Sequence, residues 1–235
     1  MNNEGKEKYL KTLHKCYIDG TTNHLEHNDN VDYHNILLYH LYKDTDKWNN
    51  KTALDFGCGK GRNVSNLIGL ADWKKIIGID ISETNINYCK RMMSNPKLDF
   101  FKNNGEDLEY VESNSIDYAM STIVFQHICV RDLRIKLKEE ILRCMKPSAI
   151  FSFQMGYGFT SKNCNCGKPW CGKTQYLENN YDAISSNGAN DVCITNKDEL
   201  FQDLKNIGFK NIGYTVRKSF LDDTHPQWIY VTCEK

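Results

Sequence analysis

The sequence has no excess of charge of either sign: 30 Lys and Arg stand against 30 Asp and Glu in 235 residues. Neutralising a run of phosphates takes a surplus of basic side chains. A nucleic-acid partner is therefore not favoured. No apolar stretch approaches the roughly 20 residues that cross a bilayer, so no membrane partner is expected. Met1 to Lys6 is polar and has no apolar h-region, which predicts no secretory signal. Internal repeats and low-complexity tracts are missing as well. A disulfide framework is not expected either. Ten cysteines are present, but Cys89 and Cys144 fall at helix positions that look buried, a pattern of reduced thiols in a cytoplasmic protein. With 40% hydrophobic residues, the chain is long enough for one α/β domain with appendages and a substantial core.

What the chain does carry is a strand running into glycines. Ala53-Leu54-Asp55-Phe56 is followed by Gly57-Cys58-Gly59-Lys60-Gly61-Arg62, and a second strand ends at Gly78-Ile79-Asp80-Ile81-Ser82. A strand, a glycine turn, a helix and a second strand ending in a carboxylate hold a nucleoside-containing ligand against bare backbone. The dinucleotide version is G-x-G-x-x-G, whose third glycine lets the helix pack closely on the strand. Here the glycines are 57, 59 and 61, and Arg62 occupies the place of that third glycine. A carboxylate at Asp55 repels a pyrophosphate and attracts an ammonium or sulfonium group. Asp80 is placed to accept hydrogen bonds from both hydroxyls of a ribose. The ligand these residues suit is cationic, ribose-bearing and free of phosphate, so an NAD-dependent dehydrogenase is disfavoured.

The rest of the chain alternates strands and helices. Strands are predicted at Lys51 to Phe56, Ile76 to Asp80, Leu98 to Lys102, Ile116 to Ser121 and Ala149 to Gln154. Helices are predicted at Arg62 to Leu70, Glu83 to Met93 with Ser82 as N-cap, Arg131 to Met145, and Asp198 to Ile207 closed by Gly208. Asn211 to Arg217 and Trp228 to Cys233 read as an antiparallel pair. This order predicts a doubly wound α/β fold, a mainly parallel sheet with helices on both faces. Residues 1–50 read as helical, with helices at Lys6 to Ile18 and Val31 to Trp48 around a polar loop. They either cover a ligand pocket as a lid or simply pack.

A cationic, ribose-bearing ligand without phosphate describes S-adenosylmethionine (SAM). The chain resembles the class I SAM-dependent methyltransferases, and among them the small-molecule methyltransferase-domain families. The resemblance is good from Lys51 to Ser152 and weaker from Asp198 to the end. Asn114-Ser115-Ile116-Asp117-Tyr118-Ala119-Met120-Ser121 is similar to the family's fourth-strand signature. Ile141-Leu142-Arg143-Cys144-Met145-Lys146-Pro147 is similar to the run before its fifth strand, with Ser148 where glycine is common. The resemblance implies seven strands with an antiparallel last strand, in a domain spanning 51–235. It implies that Asp55, Gly57 and Gly59 line the methionine moiety, that Asp80 binds the ribose and that Ile81 lies against adenine. Asn104 stands where an acid usually receives the adenine amino group, and an amide oxygen accepts the same bond. Gly105 belongs to that run, and Glu106 or Asp107 is the alternative acceptor.

Chemistry in open α/β sheets sits at the carboxyl ends of the strands. The loop Thr122-Ile123-Val124-Phe125-Gln126-His127-Ile128 faces the transferred methyl group in the family. Thr122 is thereby a cofactor contact, Gln126 a substrate contact and His127 a general base, since imidazole titrates near neutrality; the alternative is that His127 caps a helix or packs. His225 and Trp228, beside a Pro-containing turn, form a second candidate pair at the pocket mouth, or only a turn and a strand start. An insert at about 155–195 contains Cys164, Cys166 and Cys171. These thiols either clasp zinc, with Cys193 or a histidine as fourth ligand, or are incidental to a covering loop. Tyr157, Phe159, Trp170, Tyr176 and Tyr181 make the insert aromatic, which favours a folded lid, and Tyr157 is a candidate substrate contact. The function expected is methyl transfer from SAM to a small molecule, leaving S-adenosylhomocysteine (SAH). The alternatives are a protein or RNA methyltransferase, or a non-catalytic SAM-binding module.

Overall fold

The computed structural model describes residues 3–19, 37–158, 174–183, 192–218 and 227–235. Helix α1, Asn3–Asp19, opens the chain. A single turn α2, Tyr39–Tyr42, and a 3-10 turn, Asp46–Trp48, lead into strand β1, Thr52–Phe56. Then follow α3, Arg62–Ile68; β2, Lys75–Asp80; α4, Glu83–Met92; β3, Leu98–Lys102; and β4, Ile116–Ser121. Helix α5, Arg131–Cys144, runs into the long β5, Met145–Tyr157. The short strands β6, Thr174–Gln175, and β7, Val192–Cys193, precede α6, Lys197–Ile207, β8, Lys210–Lys218, and β9, Gln227–Glu234.

Seven strands form one sheet in the order β3-β2-β1-β4-β5-β9-β8. Strands β1 to β5 are mutually parallel, and β9 runs antiparallel to both β5 and β8. The predicted doubly wound sheet with a reversed last strand is the observed one. Strand β1 is buried along its whole length because both faces are covered. Alternation splits its side chains: Leu54 and Phe56 join a core with α1, α5 and α6, and Ala53 joins a second core with Trp48, α3 and α4. The order reverses between β1 and β4, which places the switch-point crevice at their carboxyl ends.

Local chemistry accounts for the boundaries. Ser82 caps α4, its hydroxyl accepting from the Asn85 amide at 3.3 Å. Gly208, at φ 116°, closes α6. Two expectations change. The helix expected to run to Trp48 is, over its described part, one turn and a separate 3-10 turn. Asp44 accepts from the Lys47 amide at 3.3 Å, and this local bond competes with helix continuation. Strand β5 begins before Ala149: the chain leaves α5 at Cys144 and is already extended through Pro147, with Ser148 at φ 62°, the left-handed region that glycine favours. Within the insert, β6 and β7 form a two-stranded parallel sheet.

Candidate functional site

A cleft opens where β1, β2 and β4 end. The turn after β1 holds Gly57, Gly59 and Gly61 at φ 78°, 53° and 86°. A Cβ on Gly57 would lie 2.1 Å from Val124 Cγ2, so the first glycine lets the loop after β4 close on the turn. Nothing lies within 4 Å of the Cβ position on Gly59, which leaves its backbone open to a ligand. The turn is fixed from β2: the Gly57 and Cys58 amides donate to the Ile79 carbonyl at 2.7 and 2.9 Å.

Asp80 sits at the tip of β2 and lines the cleft. Its Oδ2 accepts from the Gly59 amide and its Oδ1 from the Ser82 amide, both at 2.8 Å. Burial raises its carboxyl above the usual range, while these amides pull it back down. Oδ1 also accepts from Asn85 Nδ2 at 3.5 Å, while Oδ2 keeps a further lone pair for a ligand hydroxyl. Asp55 lies behind the turn, fully buried. Its Oδ1 accepts from Asn63 Nδ2 at 3.3 Å, and its Oδ2 has no hydrogen-bond partner. Burial pushes this carboxyl up to about 7, with Asn63 and Arg62 opposing. The Asn63 amide also donates to Thr122 Oγ1 at 2.6 Å, and its own Oδ1 is buried without a partner at the cleft wall. Two buried oxygens, Asn63 Oδ1 and Asp55 Oδ2, are thus left without partners here.

Of the residues singled out in the sequence, Gly57, Gly59, Asp80, Ile81, Gly105, Thr122 and His127 come together around the cleft. Others do not line it. Asp55 stands behind Asn63. Asn104 folds its oxygen back onto the amides of Glu106 and Asp107, at 2.8 and 3.1 Å, and its neighbour Asn103 lines the cleft instead. Glu106 pairs with Lys6 at 2.7 Å and Lys136 at 3.3 Å, and Lys6 above all holds its carboxyl below the usual range. Gln126 is buried in the 3-10 turn Phe125–His127. Tyr157 ends β5 opposite Gln227. Trp228 packs with Leu37 and Tyr230, against Ile123, and reaches the cleft only through that residue. His225, Cys164, Cys166 and Cys171 lie outside the described residues, as does the side chain of Cys193. Among the described residues no group of three or more His, Cys, Asp or Glu could hold a metal ion.

Sequence reasoning missed Asn63 and Asn103. Asn63 carried a readable signal, a polar residue in the first turn of a helix whose next residues, Val64 and Leu67, are core. It also missed Ile123, a β-branched residue held at φ 57° at the β4 tip, a strained backbone of the sort found at functional sites. Helix α1 closes the cleft from above. Leu13 lines it, and Leu10 lies over Gly105, with Cδ2 3.0 Å from the Cβ position there.

A family model described as "Methyltransferase domain" matches residues 54–153. Among curated proteins, the chain is 26% identical over 129 residues to a phthiotriol/phenolphthiotriol dimycocerosates methyltransferase of Mycobacterium tuberculosis, covering 55% of this chain and 46% of that one. It is 26% identical over 130 residues to a fatty-acid O-methyltransferase of Mycolicibacterium smegmatis, with the same coverage. The chain spans about half the length of these relatives. A SAM-dependent methyltransferase from Mesorhizobium loti shares the fold, with a TM-score of 0.60 at 14% identity over 85% of this chain and 98% of that one. Residues 54–153 thus match a methyltransferase domain, and the sheet order is that of the Rossmann-like methyltransferase fold.

Proposed function

We propose that the chain transfers the methyl group of SAM to a small, largely apolar acceptor through an oxygen, nitrogen or sulfur nucleophile. The observation that carries this reading is the two-sided cleft. The open Gly59 backbone, Asp80 and the unsatisfied Asn63 oxygen form one side, and His127 with apolar Ile123, Val124 and Ile128 forms the other. When bound, the cofactor supplies an electrophilic methyl on a sulfonium, already a good leaving group. What the residues must add is alignment, exclusion of water and, for a protonated nucleophile, a base. Asp80 would hold the ribose, and Asn63 with Asp55 behind it the ammonium. Leu10 and Leu13 of α1 would roof the site, a lid carried by residues 1–50. His127 would take the acceptor's proton. The names of the two mycobacterial relatives, a fatty-acid O-methyltransferase and a phthiotriol/phenolphthiotriol dimycocerosates methyltransferase, support an apolar acceptor.

Calorimetry with SAH and SAM tests the cofactor half. Asp80→Ala removes the hydroxyl contact to a charged acceptor and should weaken binding on the order of a hundredfold; unchanged affinity would refute the placement. Label transfer from methyl-labelled SAM into long-chain fatty acids, extracted metabolites, protein and RNA tests the acceptor half. Incorporation only into protein or RNA would overturn the small-molecule reading.

A further inference from the structure

The loop that carries His127 is held from two directions. From α5, Arg134 is fully buried and donates to the Ile128 carbonyl and to the Tyr176 carbonyl of the insert. From α1, the Tyr9 hydroxyl, also fully buried, accepts from the Cys129 amide at 2.7 Å and donates to the His127 carbonyl at 3.4 Å. The Asn180 amide donates to the Cys129 carbonyl at 3.1 Å. Arg134 therefore fixes Ile128, and one phenol brackets the residues on either side of it. Tyr9 is separated from His127 by 118 residues.

The same helix touches the cofactor side. Leu13 lines the cleft, Leu10 lies beside Ile81 over Gly105, and His14 Nε2 lies 3.2 Å from the Asn104 carbonyl. One rigid element thus spans the loop after β3 and the loop after β4. We propose that Tyr9 is a positioning residue: its hydroxyl sets the 127–129 backbone so that His127 faces the cleft only while α1 is docked over it. This rests on the methyltransferase reading of the cleft. It goes further in making roofing of the cofactor and alignment of the base a single event, so that an undocked α1 leaves the site both open and unable to act.

Tyr9→Phe removes one oxygen and keeps the ring in its pocket. The Cys129 amide then lacks its acceptor, while the Arg134 contact to Ile128 is untouched. Histidine-labelled protein gives a readout that needs no acceptor, with the His127 ring signal assigned by its loss in His127→Gln. In Tyr9→Phe that signal should move or split and its response to saturating SAH should change, while SAH affinity stays at the wild-type value. Leu13→Ala should do the reverse, weakening SAH and leaving the His127 signal of the saturated complex in place. Turnover of the fatty-acid or metabolite acceptor should fall about tenfold or more in Tyr9→Phe, the cost of a misplaced reacting group. A His127 signal identical to wild type in Tyr9→Phe, with and without SAH, overturns the proposal. Wild-type protein that binds no SAH refutes the cofactor reading instead, and the ligand-free His127 signal still judges the bracket. Should Tyr9→Phe not fold, hydrogen exchange in wild-type protein decides. The Cys129 amide should exchange with the α1 amides, and exchange in step with α5 would overturn the coupling.

Discussion

Lys138 on α5 should destabilise the protein at and below neutral pH, and replacing it should help. Its side chain is fully buried, and its ammonium has no hydrogen-bond partner. It lies 4.9 Å from the Phe125 ring centroid, 5.7 Å from Phe153 and 5.8 Å from Tyr176. The carboxylate that favours its charge, Asp203, is already paired with Arg131 at 2.5 Å. Burial first, and the Arg134 charge second, pull the Lys138 ammonium down to about 7, against 10.5 for the free side chain. The unfolded chain therefore binds more protons than the folded one between pH 7 and 10.5, and stability rises with pH across that window. Below pH 7 the ammonium must be carried inside the core, at a cost of up to about 5 kcal/mol. The three ring faces return roughly 1–2 kcal/mol of this. Lys138→Met keeps the volume and removes the charge. At pH 6 it should gain about 3 kcal/mol, or roughly 6–12 °C in melting temperature for a chain of this size. At pH 10 the advantage should fall below about 1 kcal/mol. Thermal and urea unfolding of both proteins at pH 6, 8 and 10 measures this. A variant less stable than wild type at pH 6 would refute the reasoning, since the amine would then have a partner worth more than its burial costs.

Asp55 works in the opposite direction. Its carboxyl is raised to about 7, so the unfolded chain binds fewer protons between about pH 4 and 7 and stability falls as pH rises through that range. Asp55→Asn should flatten this slope. A cationic ligand should also drive a proton off Asp55 below pH 7, which calorimetry in buffers of different ionisation heat reads directly, and Asp55→Asn should abolish the release. Gly57→Ala places a side chain at φ 78° and 2.1 Å from Val124 Cγ2, and should cost at least about 2 kcal/mol and weaken SAH binding, as unfolding and calorimetry will show. Lys6→Ala cuts the 2.7 Å pair to Glu106 that ties α1 down; SAH should dissociate faster by stopped flow, and added salt should erase the difference.

The sheet was legible because short apolar-rich runs alternate with helical patterns along the chain, and the glycine turn because backbone at positive φ admits few other residues. Strands β1 to β4 fall within a residue or so of their expected bounds, and Ser82 and Gly208 act as the cap and stop their chemistry suggests. Side-chain direction was harder to read. Asn104 was expected at the cleft for its position, but its amide closes its own turn and hands the wall to Asn103. Trp228 and Tyr230 share one face of β9 and meet Leu37, so the ring expected at the pocket mouth is packed behind Ile123. The contribution of α1 was invisible for a different reason. Its apolar face announces burial, yet nothing in Tyr9, Leu10 or Leu13 names a partner more than a hundred residues away.

That separation has a consequence for how the protein is made. Helix α1 leaves the ribosome before the residues it binds: its ties are to Glu106, His127 and Cys129, at sequence separations of 100, 118 and 120. A helix of 17 residues is only marginally stable on its own in water. During synthesis its Tyr9, Leu10 and Leu13 face therefore stays exposed until β4 and the loop beyond it have been extruded. A segment made before its partners must wait for them, and the surface that receives α1 exists only once β4 and the loop after it have folded.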